Sequence, residues 1–322
     1  MKIAVIGCGY VGVVTAACFA EIGHEVTCVD NDPAKITSLK AGKPTIYENF
    51  LSELLTRNQV RLTFGSSIPA AVRATEAIFI AVPTPAKDDG MPEMRFVEAV
   101  ACEIAEALNG FKVIVQKSTV PVKSGEWLHN MISERRPDAD FEVVSNPEFL
   151  REGTAVTDFL YADRVVMGCD SEAAAAVIRR IYDPLVCGSY CRRLDAIPRP
   201  KAAPTSPRLI ETSRNSAELI KYASNAFLSM KISFINAIAN VCEAVGADIE
   251  DVSEGVGADS RIGPRFLRAG LGYGGSCFPK DVAALRTLSG KWGCELHLLH
   301  EVSRVNEAQR RLFLNKIREA IG

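Results

Sequence analysis

Residues 2–12 read Lys2-Ile3-Ala4-Val5-Ile6-Gly7-Cys8-Gly9-Tyr10-Val11-Gly12, and residues 25–30 read Glu25-Val26-Thr27-Cys28-Val29-Asp30. The short apolar run Lys2 to Ile6 predicts a strand, Gly7 to Gly12 a glycine turn, and the apolar spacing from Val11 to Ile22 a helix, with a second strand over Glu25 to Val29. This is one βαβ unit. Its Gly7-x-Gly9-x-x-Gly12 spacing, with Asp30 eighteen residues beyond the last glycine, is a dinucleotide fingerprint. Backbone amides at such a helix start hold a pyrophosphate, and the Asp30 carboxylate binds ribose hydroxyls. An acid at that position favours NAD over NADP, and FAD is the commoner alternative ligand.

Outward from this unit, strands are predicted near Arg61 to Phe64, Ala77 to Val82, Lys112 to Gln116, Glu142 to Val144 and Arg164 to Met167, with helical patterns between most of them. That alternation implies an α/β fold with a Rossmann-like, doubly wound parallel sheet. The stretch Ile197 to Pro207 carries Pro198, Pro200, Pro204 and Pro207 and predicts an exposed loop at a domain junction. From Asn215 to Val245 apolar residues recur at helical spacing without a proline, a helix of about 45 Å that ends at Gly246. The expected division is therefore an NAD-binding domain over residues 1–207 and a helical domain over residues 208–322, built on that helix.

Composition narrows the function. A chain of 322 residues, 48% hydrophobic and 24% charged, is an ordinary globular protein of two domains. A net charge of -2 without a Lys/Arg-rich run offers no footprint for nucleic acid. No signal-peptide pattern precedes the first strand and no apolar run approaches the roughly 18 residues of a membrane span, so a cytoplasmic protein without a membrane partner is expected. Ten cysteines are scattered mostly over predicted strands and helices, and most of them read as reduced core residues. Cys187 and Cys191 have loose metal-like spacing but no second Cys/His pair nearby, so no metal site is expected.

One cysteine stands apart. Gly274-Gly275-Ser276-Cys277-Phe278-Pro279-Lys280-Asp281 places Cys277 at a glycine-to-helix junction, where the helix dipole and Lys280 favour a thiolate. Asp281, four residues on, lies one turn along the same helix, positioned to orient a water or a lysine or simply to face the dipole. Lys221 and Asn225 are likewise one turn apart on the long helix and can converge on one substrate oxygen, stabilising an oxyanion or exchanging a proton. A solvated helix face is the alternative for that pair, although Ala217, Ile220, Ala223, Ser224 and Phe227 leave little polar surface there.

Two loops follow strand ends, where open parallel sheets bind ligands. In Asn146-Pro147-Glu148-Phe149-Leu150-Arg151-Glu152-Gly153, the carboxylates Glu148 and Glu152 are candidate bases; in Lys117-Ser118-Thr119-Val120-Pro121, Thr119 is placed either to donate a hydrogen bond or to cap a helix. Oxidising an alcohol with a nicotinamide, a lysine and an amide needs no thiol. A thiolate adds to an aldehyde, and the resulting thiohemiacetal gives a second hydride and becomes a thioester that water hydrolyses. The chemistry therefore expects a primary alcohol taken to a carboxylate with two NAD reduced.

These motifs, with Tyr10-Val11, Ser233 to Glu243 and Gly272 to Asp281, resemble the UDP-glucose 6-dehydrogenases of the UDP-glucose/GDP-mannose dehydrogenase family over nearly the whole chain. The resemblance implies oxidation of UDP-glucose to UDP-glucuronate, with Cys277 as nucleophile, Lys221 and Asn225 on oxyanions, Thr119 and Asp281 positioning water, and Glu148 and Glu152 as acid/base carboxylates. It implies that Gly7, Gly9, Tyr10, Val11, Gly12, Asp30, Lys35, Thr84, Thr119, Glu152 and Lys280 serve NAD. It places the nucleotide sugar against Glu148, Phe149, Leu150, Arg151, Glu152, Lys221, Asn225, Phe266, Leu267, Arg268, Ala269, Gly270 and Gly274. Arg261 is expected to reach a neighbouring subunit of a homodimer built on the long helix. The family usually has Pro-Gly at Asn49-Phe50 and Gly at Pro83 and Lys123, and it continues into a further UDP-binding domain beyond the length of this chain. Dehydrogenases of GDP-mannose or UDP-N-acetylhexosamines are the nearest alternatives, then a two-electron hydroxyacid dehydrogenase, which leaves Cys277 unexplained, and a catalytically incomplete NAD-binding and dimerisation fragment.

Overall fold

The structure, a computed structural model, describes residues 1–322. In order the elements are β1 (Lys2–Ile6), α1 (Tyr10–Glu21), β2 (Glu25–Val29), α2 (Pro33–Lys40), α3 (Leu51–Arg57), β3 (Leu62–Gly65), α4 (Ile68–Ala74), β4 (Ala77–Ile80), α5 (Arg95–Ala107), β5 (Lys112–Gln116), α6 (Ser124–Arg135), β6 (Phe141–Ser145), α7 (Ala155–Leu160), β7 (Arg164–Gly168), α8 (Glu172–Val186), β8 (Arg208–Thr212), α9 (Arg214–Val245), α10 (Ile249–Ala258), α11 (Phe278–Lys291) and α12 (His297–Ile321). Side chains of a strand alternate between faces, and here both faces are apolar. Ile3 and Val5, Ala77 and Phe79, and Val113 and Val115 enter one buried cluster with α1. Ala4 and Ile6, Ile78 and Ile80, and Ile114 enter the other, with α4, α5 and α6. Helices therefore cover both sides of the sheet.

The strand order is β3-β2-β1-β4-β5-β6-β7-β8. Neighbours are parallel except β6 and β7, which run antiparallel and pair only at Ser145 opposite Gly168. The chain leaves β1 toward β2 and β4 toward β5, in opposite directions along the sheet. The carboxyl ends of β1 and β4 thus flank a topological switch point, the crevice where such sheets bind ligands. All seven sequence-predicted strands sit where periodicity put them. Residues 208–212, left outside the sheet by the sequence reading, form an eighth strand parallel to β7. Within the Pro-rich segment, Ile197 is buried, its carbonyl accepting from the Tyr161 hydroxyl and its amide donating to the Tyr190 hydroxyl.

The chain divides into two compact units, Met1–Thr84 with Glu93–Lys221, and Pro85–Pro92 with Tyr222–Gly322. The first holds the sheet. The second holds most of α9 and the helices after it, around Tyr222, Ala226, Val282, Ala284, Leu285 and Leu299. In this unit Gly246, at φ +73°, ends α9, and the Ala247 amide donates back to the Cys242 carbonyl.

Contrary to the sequence expectation, one helix is long and apolar enough to cross a membrane by length and composition: α9, whose most apolar 18-residue window has a mean hydropathy of 1.2. Its polar residues fit a folded domain instead. The Ser229 hydroxyl donates to the Asn225 carbonyl, Ser233 to the Val302 carbonyl, and the Asn236 side-chain oxygen accepts from the Gly270 amide.

Two of the positions where the resembling family carries glycine adopt left-handed backbone here. Phe50 has φ 67° at the start of α3, and Lys123 has φ 77° at the start of α6. A side chain in that region is strained, which fits the glycine that the resemblance leads one to expect there.

Candidate active site

The fingerprint turn is built by backbone proximity. A Cβ on Gly12 would lie 1.8 Å from the Gly7 carbonyl oxygen, and one on Gly7, at φ +101°, would lie 2.6 Å from the Ala81 carbonyl oxygen. Gly9 faces open space, with nothing within 4 Å of an added Cβ. It caps α1, so the first amides of that helix point into the opening. At the end of β2, Asp30 accepts from the Cys8 amide at 2.7 Å and the Asp32 amide at 2.9 Å, with Lys35 3.5 Å away. A bare glycine face beside a fixed carboxylate fits the pyrophosphate and ribose of NAD. Tyr10, on α1, donates to Glu48 at 2.7 Å, and Glu48 also accepts from the amides of Gly153 and Ala155. Burial and then Glu48 push the Tyr10 phenol up. Thr84 donates to the Thr119 carbonyl at 2.8 Å, tying together the loops that follow β4 and β5.

Beyond β6 the chain turns at Asn146-Pro147 into Glu148. That carboxylate is buried, accepts from Lys221 at 2.9 Å and from the Leu150 amide at 2.6 Å, and forms the first unit's most buried ion pair. Burial alone pushes the Glu148 carboxyl up, but the Lys221 charge and hydrogen bond, the Leu150 amide and Lys117 outweigh it and hold it below the usual carboxylate range. Phe149 adds its ring face to two cations, Arg164 at 4.0 Å and Lys221 at 5.4 Å. Glu152, paired with Glu148 in the sequence reading, is exposed, as is Arg151, which binds Asp158. A cleft lined by Gln116, Thr119, Ser145, Pro147, Glu218 and Lys221 opens beside the pair.

In the second unit, Cys277 is the exposed N-cap of α11, two residues after Gly275 at φ +76°. The Asp281 amide donates to the Cys277 carbonyl at 2.8 Å, so the acid sits one turn along, as the spacing predicts. Its carboxylate, 1% exposed, accepts from Asn225 at 2.6 Å and Lys280 at 2.8 Å. The preceding loop is held from α12. Asn306 accepts from the Tyr273 amide at 2.8 Å and donates to the Tyr273 carbonyl at 3.0 Å, while Gln309 donates to the Gly270 carbonyl. Gly272 is required there, because a Cβ would lie 2.2 Å from the Asn306 side-chain oxygen. Phe266 takes φ 66°, and Leu267 is buried, with its carbonyl bound by Ser253. Arg261 is exposed and pairs with Asp259.

Two family models match consecutive parts of the chain: the NAD binding domain of the UDP-glucose/GDP-mannose dehydrogenase family over residues 1–186, and that family's central domain over residues 215–308. The chain belongs to the UDP-glucose/GDP-mannose dehydrogenase family. Among curated members, UDP-glucose 6-dehydrogenase TuaD of Bacillus subtilis is 48% identical over 100% of this chain, which spans 66% of that protein's length. The structure of a UDP-glucose dehydrogenase from Pyrobaculum islandicum matches with a TM-score of 0.90 and 40% identity, over 99% of this chain and 71% of that one. A GDP-mannose dehydrogenase from Pseudomonas aeruginosa matches with a TM-score of 0.73 and 32% identity, over 96% and 69%.

Within this member of the family the structure groups the fingerprint glycines with Asp30 and Lys35, Glu148 with Lys221 and Phe149, and Asp281 with Asn225 and Lys280. The sequence reading omits Glu48, Glu218 and Asn306. Each binds a backbone segment distant in sequence, and no local pattern signals such a partner.

Proposed function

We propose that this chain carries the NAD-dependent oxidation of UDP-glucose to UDP-glucuronate. The observation that carries the reading is the exposed Cys277 at a helix start, with a buried Asp281 held one turn away by Asn225 and Lys280. A two-electron dehydrogenase has no use for that thiol. When bound, NAD would supply the hydride acceptor for two successive oxidations. The Glu148–Lys221 pair takes the proton of the primary alcohol in the first oxidation, leaving an aldehyde. Cys277 sulfur then bonds to the aldehyde carbon, giving a thiohemiacetal whose oxyanion Lys221 and Asn225 stabilise. Loss of the second hydride leaves a thioester. A water oriented by Asp281 and Thr119 adds to it, releasing the carboxylate and the thiol.

UDP-glucose is preferred as substrate because the more similar relatives carry that name, at 48% and 40% identity against 32% for the GDP-mannose enzyme. The same reading includes a homodimer formed through α9. Phe227, Phe234 and Val241 recur every seven residues on that helix and are each more than half exposed. Such a seam is suited to a second copy of itself.

The test is NADH formed per UDP-glucose consumed, by this chain and by Cys277→Ser, with GDP-mannose as control substrate. Two NADH per sugar, abolished or arrested before the acid in the variant, are expected. One NADH per sugar in both proteins would overturn the covalent route, and turnover of GDP-mannose alone would overturn the substrate.

A further inference from the structure

Lys117 is a cation in the wrong place for an ordinary lysine. It is the first residue after β5, is 3% exposed, and its ammonium hydrogen-bonds neutral groups alone. Its ammonium donates to the Asn146 side-chain oxygen at 3.2 Å, and more weakly to the Asn146 carbonyl and the Tyr182 hydroxyl at 3.5 and 3.4 Å; it lies 5.7 Å from the Phe159 ring. A buried charge without a counter-ion opposes folding, and an apolar side chain of the same volume would fill the space at no such cost. Function is the remaining reason for a lysine.

The surrounding bonds indicate that function. Asn146 is fixed on every polar atom: its amide donates to the Gln116 carbonyl, its side-chain nitrogen to the Val166 carbonyl at 2.7 Å, and its side-chain oxygen accepts from Tyr182 at 2.7 Å as well as from Lys117. Two residues later the chain delivers Glu148 to Lys221. We propose that Lys117 is a positioning residue for the reaction: through Asn146 it sets the start of the Pro147-Glu148 turn that delivers Glu148 to Lys221, and its ammonium adds to the positive field around that carboxylate. The inference rests on the role proposed above for Glu148.

The groups that face Lys117 are Glu148, Lys221, Tyr182 on α8 and Cys18 on α1. Burial pulls the Lys117 ammonium down to about 8; Glu148 and Cys18 resist this, and Lys221 adds to it. Burial pushes both the Tyr182 phenol and the Cys18 thiol up, so at neutral pH both are uncharged and Glu148 is the anion that Lys117 serves. The sign of the stability effect follows. Above about pH 8 the unfolded chain retains a lysine proton that the folded chain has lost, so this residue's opposition to folding declines as pH rises toward the ordinary lysine range.

The test is Lys117→Met. The expected protein is folded, melts no lower than wild type at pH 7, and forms NADH from UDP-glucose with kcat reduced at least ten-fold and KM within about three-fold. In glutamate carboxyl-¹³C-labelled protein, with Glu148→Gln assigning the signal, the Glu148 carboxyl titrates at higher pH than in wild type. Lys117→Gln, which keeps an N–H donor and removes the charge, carries the same expectation should methionine prevent folding. An unchanged Glu148 titration in the folded variant would overturn the proposal. A lower melting temperature with unchanged kcat would make Lys117 purely structural. If no protein turns over UDP-glucose, the role of Glu148 fails, while the titration still decides what Lys117 does to it.

Discussion

Gly9 and Gly12 differ in what a methyl group would meet. At Gly9, with φ -75°, an alanine meets no atom and needs no backbone change. Gly9→Ala is therefore expected to unfold within about 0.5 kcal/mol of wild type while binding NAD at least ten-fold more weakly, because the methyl fills the face the pyrophosphate needs. Gly12→Ala drives a carbon into the Gly7 carbonyl and should cost about 3 kcal/mol or more, or prevent folding. Denaturant melts with NAD titrations separate the two. Lys123 supplies the opposite case. Replacing a left-handed lysine by glycine removes strain of about 1 kcal/mol, so Lys123→Gly should raise the urea midpoint, and a lowered midpoint would mean that the lysine side chain contributes more than its backbone loses. The glycine fingerprint and Asp30 were legible because their roles depend on neighbours within one βαβ unit. The conformations of Phe50 and Lys123 were not, since nothing in those side chains announces positive φ.

At the scale of elements, periodicity located α9 and the inner strands, whose two buried faces make continuous apolar runs. It missed β8, a strand at the sheet edge that has no fully buried residue, shows no strict alternation and follows a proline-rich stretch. It also missed what starts α6. There Glu218, 93 residues away from Gly125 in sequence, accepts from the Lys123 amide at 2.7 Å, the Gly125 amide at 2.8 Å and the Ser145 hydroxyl at 2.8 Å. A carboxylate from α9 thus performs the capping that a local Ser or Asp performs at α2, α4, α8 and α10. Burial raises the Glu218 carboxyl, against the pull of Ser145, Gly125, Lys123 and Arg214. Glu218→Ala strips acceptors from two helix amides and a hydroxyl, and should cost about 2–4 kcal/mol in urea unfolding. A cost below about 0.5 kcal/mol would show that water replaces the carboxylate there.

For the whole molecule, the apolar residues on α9 determine the expected assembly. Phe227→Asp with Phe234→Asp should convert a dimer to a monomer in sedimentation analysis, without loss of helix content, since both side chains are more than half exposed in the single chain. A monomeric wild type would remove the homodimer from the reading. The sheet has a weakness of another kind. From β3 through β6 the parallel ladders run over four or five residue pairs each, but β6 meets β7 only at Ser145 and Gly168, where the strand direction reverses. Few backbone hydrogen bonds cross that line, so it is where a partial opening is cheapest. Deuterium exchange should label β7 and β8 before β1 and β4, and simultaneous labelling would show one cooperative sheet. The reversal is therefore expected to divide the unit into two foldons: a dinucleotide half that stays closed, and an outer pair of strands that breathes.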